Sequence, residues 1–347
     1  MIRVAILGGG IGAQHLAAYD QLDDFEVTHL VDQDADRRNA LCDDRIAPLH
    51  TVEDALQADV DLIDICLPPH LHASVTIAAL EAGKHVICEK PLATSLDQTD
   101  AIAAASARTG KSVFPVFQYR FGPAFDQLRA LQDAGLVGAP RAAALETHWN
   151  RGADYYAVPW RGTWDGEQGG AVLGHAIHAH DLLSTFMAPI TAVTARLGIL
   201  VNQIETEDSG ALIFELAGCA LATSSITLGA ARDETRLRLV YEHLMATSHT
   251  NPYAPGEGAW QFTARDPARQ PDVDAVCRAT PAAPAGFCGF LTEVGKALNH
   301  LPNRAVTLAD GALSIELVTA IYAAHRSKTS VDLPLPANHP MRNGWQP

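Results

Sequence analysis

Basic residues are scarce in this chain: 25 lysines and arginines face 40 aspartates and glutamates, giving a formal charge of −15 over 347 residues. Such a surface is repelled by a phosphate backbone or an anionic bilayer, so neither nucleic acid nor a membrane is expected as the main partner. No apolar run approaches the ~18 residues of a membrane-crossing helix. The six cysteines (Cys42, Cys66, Cys88, Cys219, Cys277, Cys288) form no C-x-x-C pair. They read as reduced structural thiols rather than a disulfide framework or a zinc site. The opening run Met1–Leu7 is too short for a signal peptide and reads as a strand, so the expectation is a soluble, cytoplasmic protein. Internal repeats and low-complexity tracts are also missing.

What remains is a globular composition, 48% apolar and 19% charged, long enough for two domains. Strand-like runs at 2–7, 26–31, 61–67, 85–88 and 113–118 alternate with helical patterns at 35–43, 52–57, 71–82 and 95–109. That rhythm predicts parallel strands joined by crossover helices. After about Gln118 it changes. A helix at 124–134 and a strand at 140–149 lead to an aromatic loop, 150–167, and a histidine-bearing helix, 171–187. Strands then follow one another near 191–200, 208–216, 219–228 and 235–241, the signature of an antiparallel sheet. The stretch 251–286 reads as loop with one short strand at 259–263, and helices at 287–299 and 309–326 precede a proline-rich extended tail. The expected class is α/β: a Rossmann-type doubly wound parallel sheet over 1–121, then an α+β domain over 122–347 with a large open, mainly antiparallel sheet.

Three groups of residues carry chemistry. Gly8-Gly9-Gly10-Ile11-Gly12-Ala13 follows a strand and opens a helix, the context of a dinucleotide fingerprint. Gly8 permits the tight turn, Gly10 the approach of a pyrophosphate, and Ala13 serves as the third small residue. The amides near Ile11 and Gly12 face the phosphates. Asp32, at the end of the second strand, is placed to accept from a ribose diol and repel a 2′-phosphate, which favours NAD over NADP. Its other reading is a cap for the next helix. In Glu89-Lys90-Pro91, Lys90 ends a buried strand, where ligands of such sheets bind; the alternative is a surface lysine paired with Glu89. In Gly169-Gly170…His175…His178…Asp181, spacing puts His175, His178 and Asp181 on one helix face. Acid–base work, a structural polar face and a metal site all suit that face. Metal is disfavoured because H-E-x-x-H is missing and no third ligand is defined.

The order of these elements closely resembles the glucose–fructose oxidoreductase/inositol 2-dehydrogenase family, Gfo/Idh/MocA, across nearly the whole chain. The resemblance runs through the glycine turn with His15, Leu67-Pro68-Pro69-His70-Leu71-His72, Ala82 to Pro91, Arg120-Phe121-Gly122-Pro123, Gly169-Gly170 to His178 and Asp181, and Gly344-Trp345. It implies Lys90 and His178 as catalytic residues, a frequent cis peptide before Pro91, and Pro68, His72 and Glu89 beside the cofactor. It implies Lys90, Arg120, His175 and His178 beside the substrate, and a homodimer or homotetramer paired through sheet faces. Two departures stand out. The glycine turn is one residue short, and Gly174 occupies a position where many members carry Asp or Asn. Either His175 supplies that contact or the substrate differs there.

In the aromatic loop, Tyr156 and Arg161 are the preferred substrate contacts, since aromatic faces stack on sugar rings and guanidinium binds hydroxyls or carboxylate. Packing between domains or subunits would explain the same aromatics. The expected activity is hydride transfer between NAD and a carbinol carbon of a sugar, sugar derivative or cyclitol. Its rivals are a redox-assisted lyase or glycosidase holding NAD tightly, and a non-catalytic sensor of the same fold.

Overall fold

The computed structural model describes residues 1–347. It divides into two compact units, one of Met1–Phe117, Phe287–Ile315 and Arg342–Gly344, the other of Gln118–Gly286, Glu316–Met341 and Trp345–Pro347.

The first unit opens with β1 (Ile2–Leu7), α1 (Gly9–Tyr19), β2 (Phe25–Val31), α2 (Ala35–Leu41), β3 (Ala47–Leu49) and α3 (Val52–Gln57). It continues with β4 (Leu62–Ile65), α4 (Pro69–Glu81), β5 (His85–Cys88), α5 (Leu96–Thr109) and β6 (Val113–Pro115). Every pairing is parallel, in the order β3-β2-β1-β4-β5-β6. The order reverses at β1, so the crevice beyond the carboxyl ends of β1 and β4 is the place where such sheets bind ligands. Val4–Leu7, Leu62–Ile65 and Val86–Cys88 are buried, as apolar strands covered on both faces should be. Local signals end the helices: a Thr51–Asp54 capping box starts α3, Ser95 caps α5, and Gly110 at φ 71° stops it.

The second unit is built from α6 (Pro123–Asp133), β7 (Pro140–Asn150), α7 (Ala153–Tyr156), α8 (Ile177–Phe186), β8 (Ile190–Gly198), β9 (Ser209–Leu216), β10 (Ala220–Thr227) and β11 (Gly229–Tyr241). After these come β12 (Leu244–Thr247), β13 (Gln261–Ala264), α9 (Gln270–Ala279) and β14 (Val331–Asp332), whereas α10 (Gly286–Leu298) falls almost wholly in the first unit and α11 (Leu308–Ser327) divides after Ile315. The eight-stranded sheet runs β13-β12-β11-β7-β10-β9-β8-β14 and is antiparallel except between β7 and β10. No helix is long and apolar enough to cross a membrane.

Three expectations need correction. The expected boundary gave all of 122–347 to the second domain, yet residues 287–315 belong to the first unit. There the Phe287 ring lies 4.5 Å from the His15 ring and Gly295 packs against Phe25, so α10 covers α1 and β2. The stretch 251–286 contains helix α9. Its Pro271 sits in the first turn, where a missing N–H costs nothing. The histidine segment is not one regular helix: Val172–Ala176 is π-helical and only Ile177–Phe186 is α.

Candidate active site

In the first unit, α1 begins at Gly9, directly after β1. Gly8 takes φ 97°, and a Cβ there would lie 2.4 Å from the Cys66 carbonyl oxygen, so only glycine fits between the ends of β1 and β4. The close helix–strand contact falls on Gly12, not Ala13: a Cβ on Gly12 would meet Ile6 Cγ2 at 2.9 Å. Gly10 faces open space. No side chain caps α1 and no acid stands in its first turn, which leaves the amides around Gly10, Ile11 and Gly12 suited to a pyrophosphate.

Asp32 is buried at the end of β2. Its Oδ2 accepts from the Gly9 amide at 2.6 Å, its Oδ1 from the Asp34 amide at 2.8 Å, and Arg37 Nη1 lies 3.1 Å from Oδ2. The helix cap is a different residue, Asp34, whose side chain accepts from Asp36 and Arg37. Asp32 thus ties the glycine turn to β2, and its second lone pairs remain the diol-accepting feature that NAD requires. The residues present fit a dinucleotide.

Lys90 follows β5 and is half-buried, with a cis bond to Pro91. Its backbone amide donates to Glu89 Oε2 at 3.0 Å. His72 bridges the loops after β4 and β5: Nε2 lies 2.7 Å from the Leu67 carbonyl and Nδ1 2.6 Å from that of Pro91. Burial pushes its pKa down, with the two carbonyls pulling the other way. Pro68 caps α4. Gly8, Gly10, Gly12, Asp32, Pro68, Glu89 and Lys90 therefore gather at the carboxyl edge of one sheet, while His72 holds its loops from within.

In the second unit, His178 is buried and its ring stacks on Tyr119, 4.2 Å between centroids. Arg120 forks onto Asp181, Nε to Oδ2 at 2.8 Å and Nη2 to Oδ1 at 2.5 Å, which ties the segment after β6 to α8. Arg120, expected as a substrate contact, braces the histidine helix through this pair. His175 lies in the π-helical stretch and meets Trp149 edge-on at 5.0 Å. His180 turns toward the sheet, where Nε2 pairs with the Ser224 hydroxyl at 3.0 Å; burial drives its pKa down to about 3, so it is neutral.

Two buried acids organise this helix, and sequence reasoning missed both. Glu207 accepts from the Val172 amide at 3.0 Å and from the Tyr322 hydroxyl at 2.9 Å, while its own carbonyl takes the Ala171 amide at 2.7 Å. A Cβ on Gly170 would lie 1.9 Å from that carbonyl, so the second glycine is a requirement of close approach. Glu167 accepts from the Gly162 amide at 2.6 Å. A Cβ on Gly174 would find only Glu167 Oε1, 3.7 Å away. The contacts span 35 and 115 residues, beyond any local pattern; the acidic pair Glu207-Asp208 between two strands was the available signal.

In the aromatic loop, Arg161 stacks over Tyr155, 3.8 Å from the ring centroid, and Tyr155 lies 5.9 Å from His175. Tyr155 therefore lies beside the histidine segment, and Tyr156, the expected substrate contact, packs edge-on against Tyr155. Burial pushes the Tyr155 hydroxyl up to about 12. Arg151 is paired with Asp233 at 2.8 Å and lines a cavity of about 490 Å³ together with Asn150, Gly152, Ala153, Asp154 and Tyr155.

Residues 2–117 match the model of an oxidoreductase family with an NAD-binding Rossmann fold, and residues 125–247 match the Gfo/Idh/MocA C-terminal domain. The chain belongs to the Gfo/Idh/MocA family. Among curated relatives, it is 37% identical over 147 residues to an inositol 2-dehydrogenase of Rhodococcus erythropolis, covering 40% of this chain and 42% of that one. It is 29% identical over 206 residues to the uncharacterized oxidoreductase YrbE of Bacillus subtilis, 58% of each. The chain thus spans little more than half the length of the curated relatives it matches. Among solved structures, the WlbA dehydrogenase of Chromobacterium violaceum, in complex with NADH and UDP-GlcNAcA, superposes with a TM-score of 0.84 at 26% identity, covering 96% of both chains. A levoglucosan dehydrogenase shares the Gfo/Idh/MocA fold at TM-score 0.81 and 20% identity over 96% of this chain and 99% of the other.

Proposed function

We propose that this chain is an NAD-dependent dehydrogenase transferring a hydride between the nicotinamide and a secondary alcohol or ketone carbon of a sugar, sugar derivative or cyclitol. The observation that carries the reading is the position of Lys90, at the carboxyl end of β5, in the sheet whose glycine turn and Asp32 fit a dinucleotide. The names of the relatives, inositol and levoglucosan dehydrogenases among them, support a polyhydroxylated substrate.

When bound, NAD supplies the hydride acceptor or donor. The protein supplies proton management. In the oxidation direction His178 takes the hydroxyl proton as general base, its ring orientation fixed by the stack on Tyr119 and its helix braced by Arg120–Asp181. Lys90 is assigned to stabilise negative charge developing in the reaction. Tyr156, Arg161 and His175 are assigned to the substrate side, with Tyr155 added by its contact to His175.

The test is a screen of sugars, sugar acids and cyclitols with NAD and with NADP, followed by absorbance at the NADH band. Lys90→Ala and His178→Ala are each expected to lower kcat by about 10²–10⁴-fold. A Lys90→Ala enzyme that turns over at the wild-type rate would sink the assignment. Turnover without net NADH would instead identify the redox-assisted lyase or glycosidase.

A further inference from the structure

The first unit contains a buried charge cluster that the reaction as described does not use. His15, on α1, has no exposed surface; its Nδ1 lies 2.9 Å from Asp64 Oδ2 and its Nε2 3.2 Å from Glu89 Oε1. Asp64 belongs to β4 and Glu89 follows β5, so one ring joins the helix of the glycine turn to two strand ends. A neutral imidazole has one N–H and would turn a lone pair toward one of the carboxylates. With both carboxylates ionised, the two contacts are satisfied together only by imidazolium. The Tyr19 hydroxyl donates to Asp64 Oδ2 at 3.0 Å, and the other Glu89 oxygen receives the Lys90 amide.

The remaining neighbours do not supply a competing charge. The Cys66 thiol is pushed up to about 12 by burial, Cys88 is pushed higher still, and His72 is held below the ordinary histidine range. Phe287, on α10, covers the ring with carbon. Lys90 is the one further cation acting on Glu89.

The protein contains its own comparison. Glu207 is as buried as Glu89 and accepts hydrogen bonds from a tyrosine and an amide but has no cation; burial raises it to about 7. Burial acts on Glu89 in the same direction, yet the His15 hydrogen bond and charge, with Lys90 adding, hold it below the usual carboxylate range. For His15 itself, burial opposes the charge and Asp64 overrides it, holding the ring well above the usual histidine range.

We propose that His15 is a positioning residue: a permanently protonated imidazolium that keeps Glu89 ionised, so that Glu89 fixes the Lys90 backbone in the geometry the reaction uses. The inference rests on the assignment of Lys90 above, and its test has one arm that does not.

That arm is nuclear magnetic resonance of the NAD-loaded, ring-¹⁵N-histidine-labelled protein, with His15 assigned by its loss in His15→Gln. Both ring nitrogens are expected to stay protonated from about pH 6 to about pH 9. A His15 that titrates to neutral with a midpoint near the ordinary ~6.5 overturns the proposal. This holds whether or not any sugar is turned over, so a failed substrate assignment is distinguishable from a failed charge assignment. The second arm is kinetic. In His15→Gln, Glu89 loses its hydrogen-bonded cation, keeping only Lys90, and moves toward the neutral range in the direction of Glu207. Its kcat should fall at least about tenfold at pH 6 and recover in part by pH 9, with KM changed by less than about threefold. The charge-balanced His15→Gln/Glu89→Gln enzyme, folded by circular dichroism, should show no such recovery. A loss uniform across pH in the single variant, or the same recovery in the double variant, also overturns it.

Discussion

Asp32 has two tasks that pull in different directions. It accepts from the Gly9 and Asp34 amides and pairs with Arg37, and the proposed function asks the same carboxylate to discriminate between ribose and its 2′-phosphate. Removing it takes away a charge-assisted contact worth about 1.5–3 kcal/mol and the repulsion of a phosphate, leaving Arg37 free to attract one. Asp32→Ser should therefore weaken NAD binding by about 10–100-fold while NADP binding improves, measured by cofactor fluorescence titration of the same preparation. Equal losses for both cofactors would show that Asp32 serves only the turn. Residue identities were the most legible part of the site: Gly8, Asp32, Lys90 and His178 stand out because each follows a strand or starts a helix at a telling distance. Roles were less so. Gly12 took the packing role expected of Ala13, and the bracing of Asp181 by Arg120 was not foreseen, because partners such as Cys66, Ile6 and Asp181 lie 54 to 61 positions away or across a strand–helix contact.

At the level of elements, regular periodicity exposed most strands and helices, and its failures have physical causes. β3 is only three residues, too short to show alternation. The π-helical stretch before α8 is set by Glu207, which takes the Val172 and Ala171 amides from a loop between β8 and β9. That arrangement has a pH signature. Buried Glu207 is raised to about 7 from an ordinary value of 4.5, with the Val172 amide working against the shift. The folded state therefore binds the proton more tightly than the unfolded state. The stabilisation is complete below about pH 4.5 and is lost as pH rises through about 7. Melting temperatures followed from pH 5 to 8 should fall more steeply for the wild type than for Glu207→Gln. Parallel curves would remove Glu207 from the account.

For the whole molecule, alternation along β9 and β10 leaves one sheet face outward. Ile213 is 52% exposed and Leu221 55%, beside Ala211, Thr223 and Ser225. Apolar side chains displayed on an open sheet favour a covering surface, and a second copy of this chain is the expected one. Light scattering should find a dimer or tetramer, and Ile213→Glu/Leu221→Glu should shift it toward monomer with each unit still folded. A wild-type monomer at all concentrations would contradict the expectation. Sequence order concealed one large-scale feature, the return of 287–315 to the first unit, since nothing in a helix announces which core its apolar face will join.

Of the glycines around the histidine helix, Gly169 and Gly170 have no room for a Cβ, whereas Gly174 does. Gly174 is therefore the position where this helix can acquire a new side chain without moving its backbone. An amide there would meet Glu167 as a hydrogen-bonding neighbour, and a carboxylate would meet it as a like charge. The acid at 167 thus determines which newcomers are tolerated at 174.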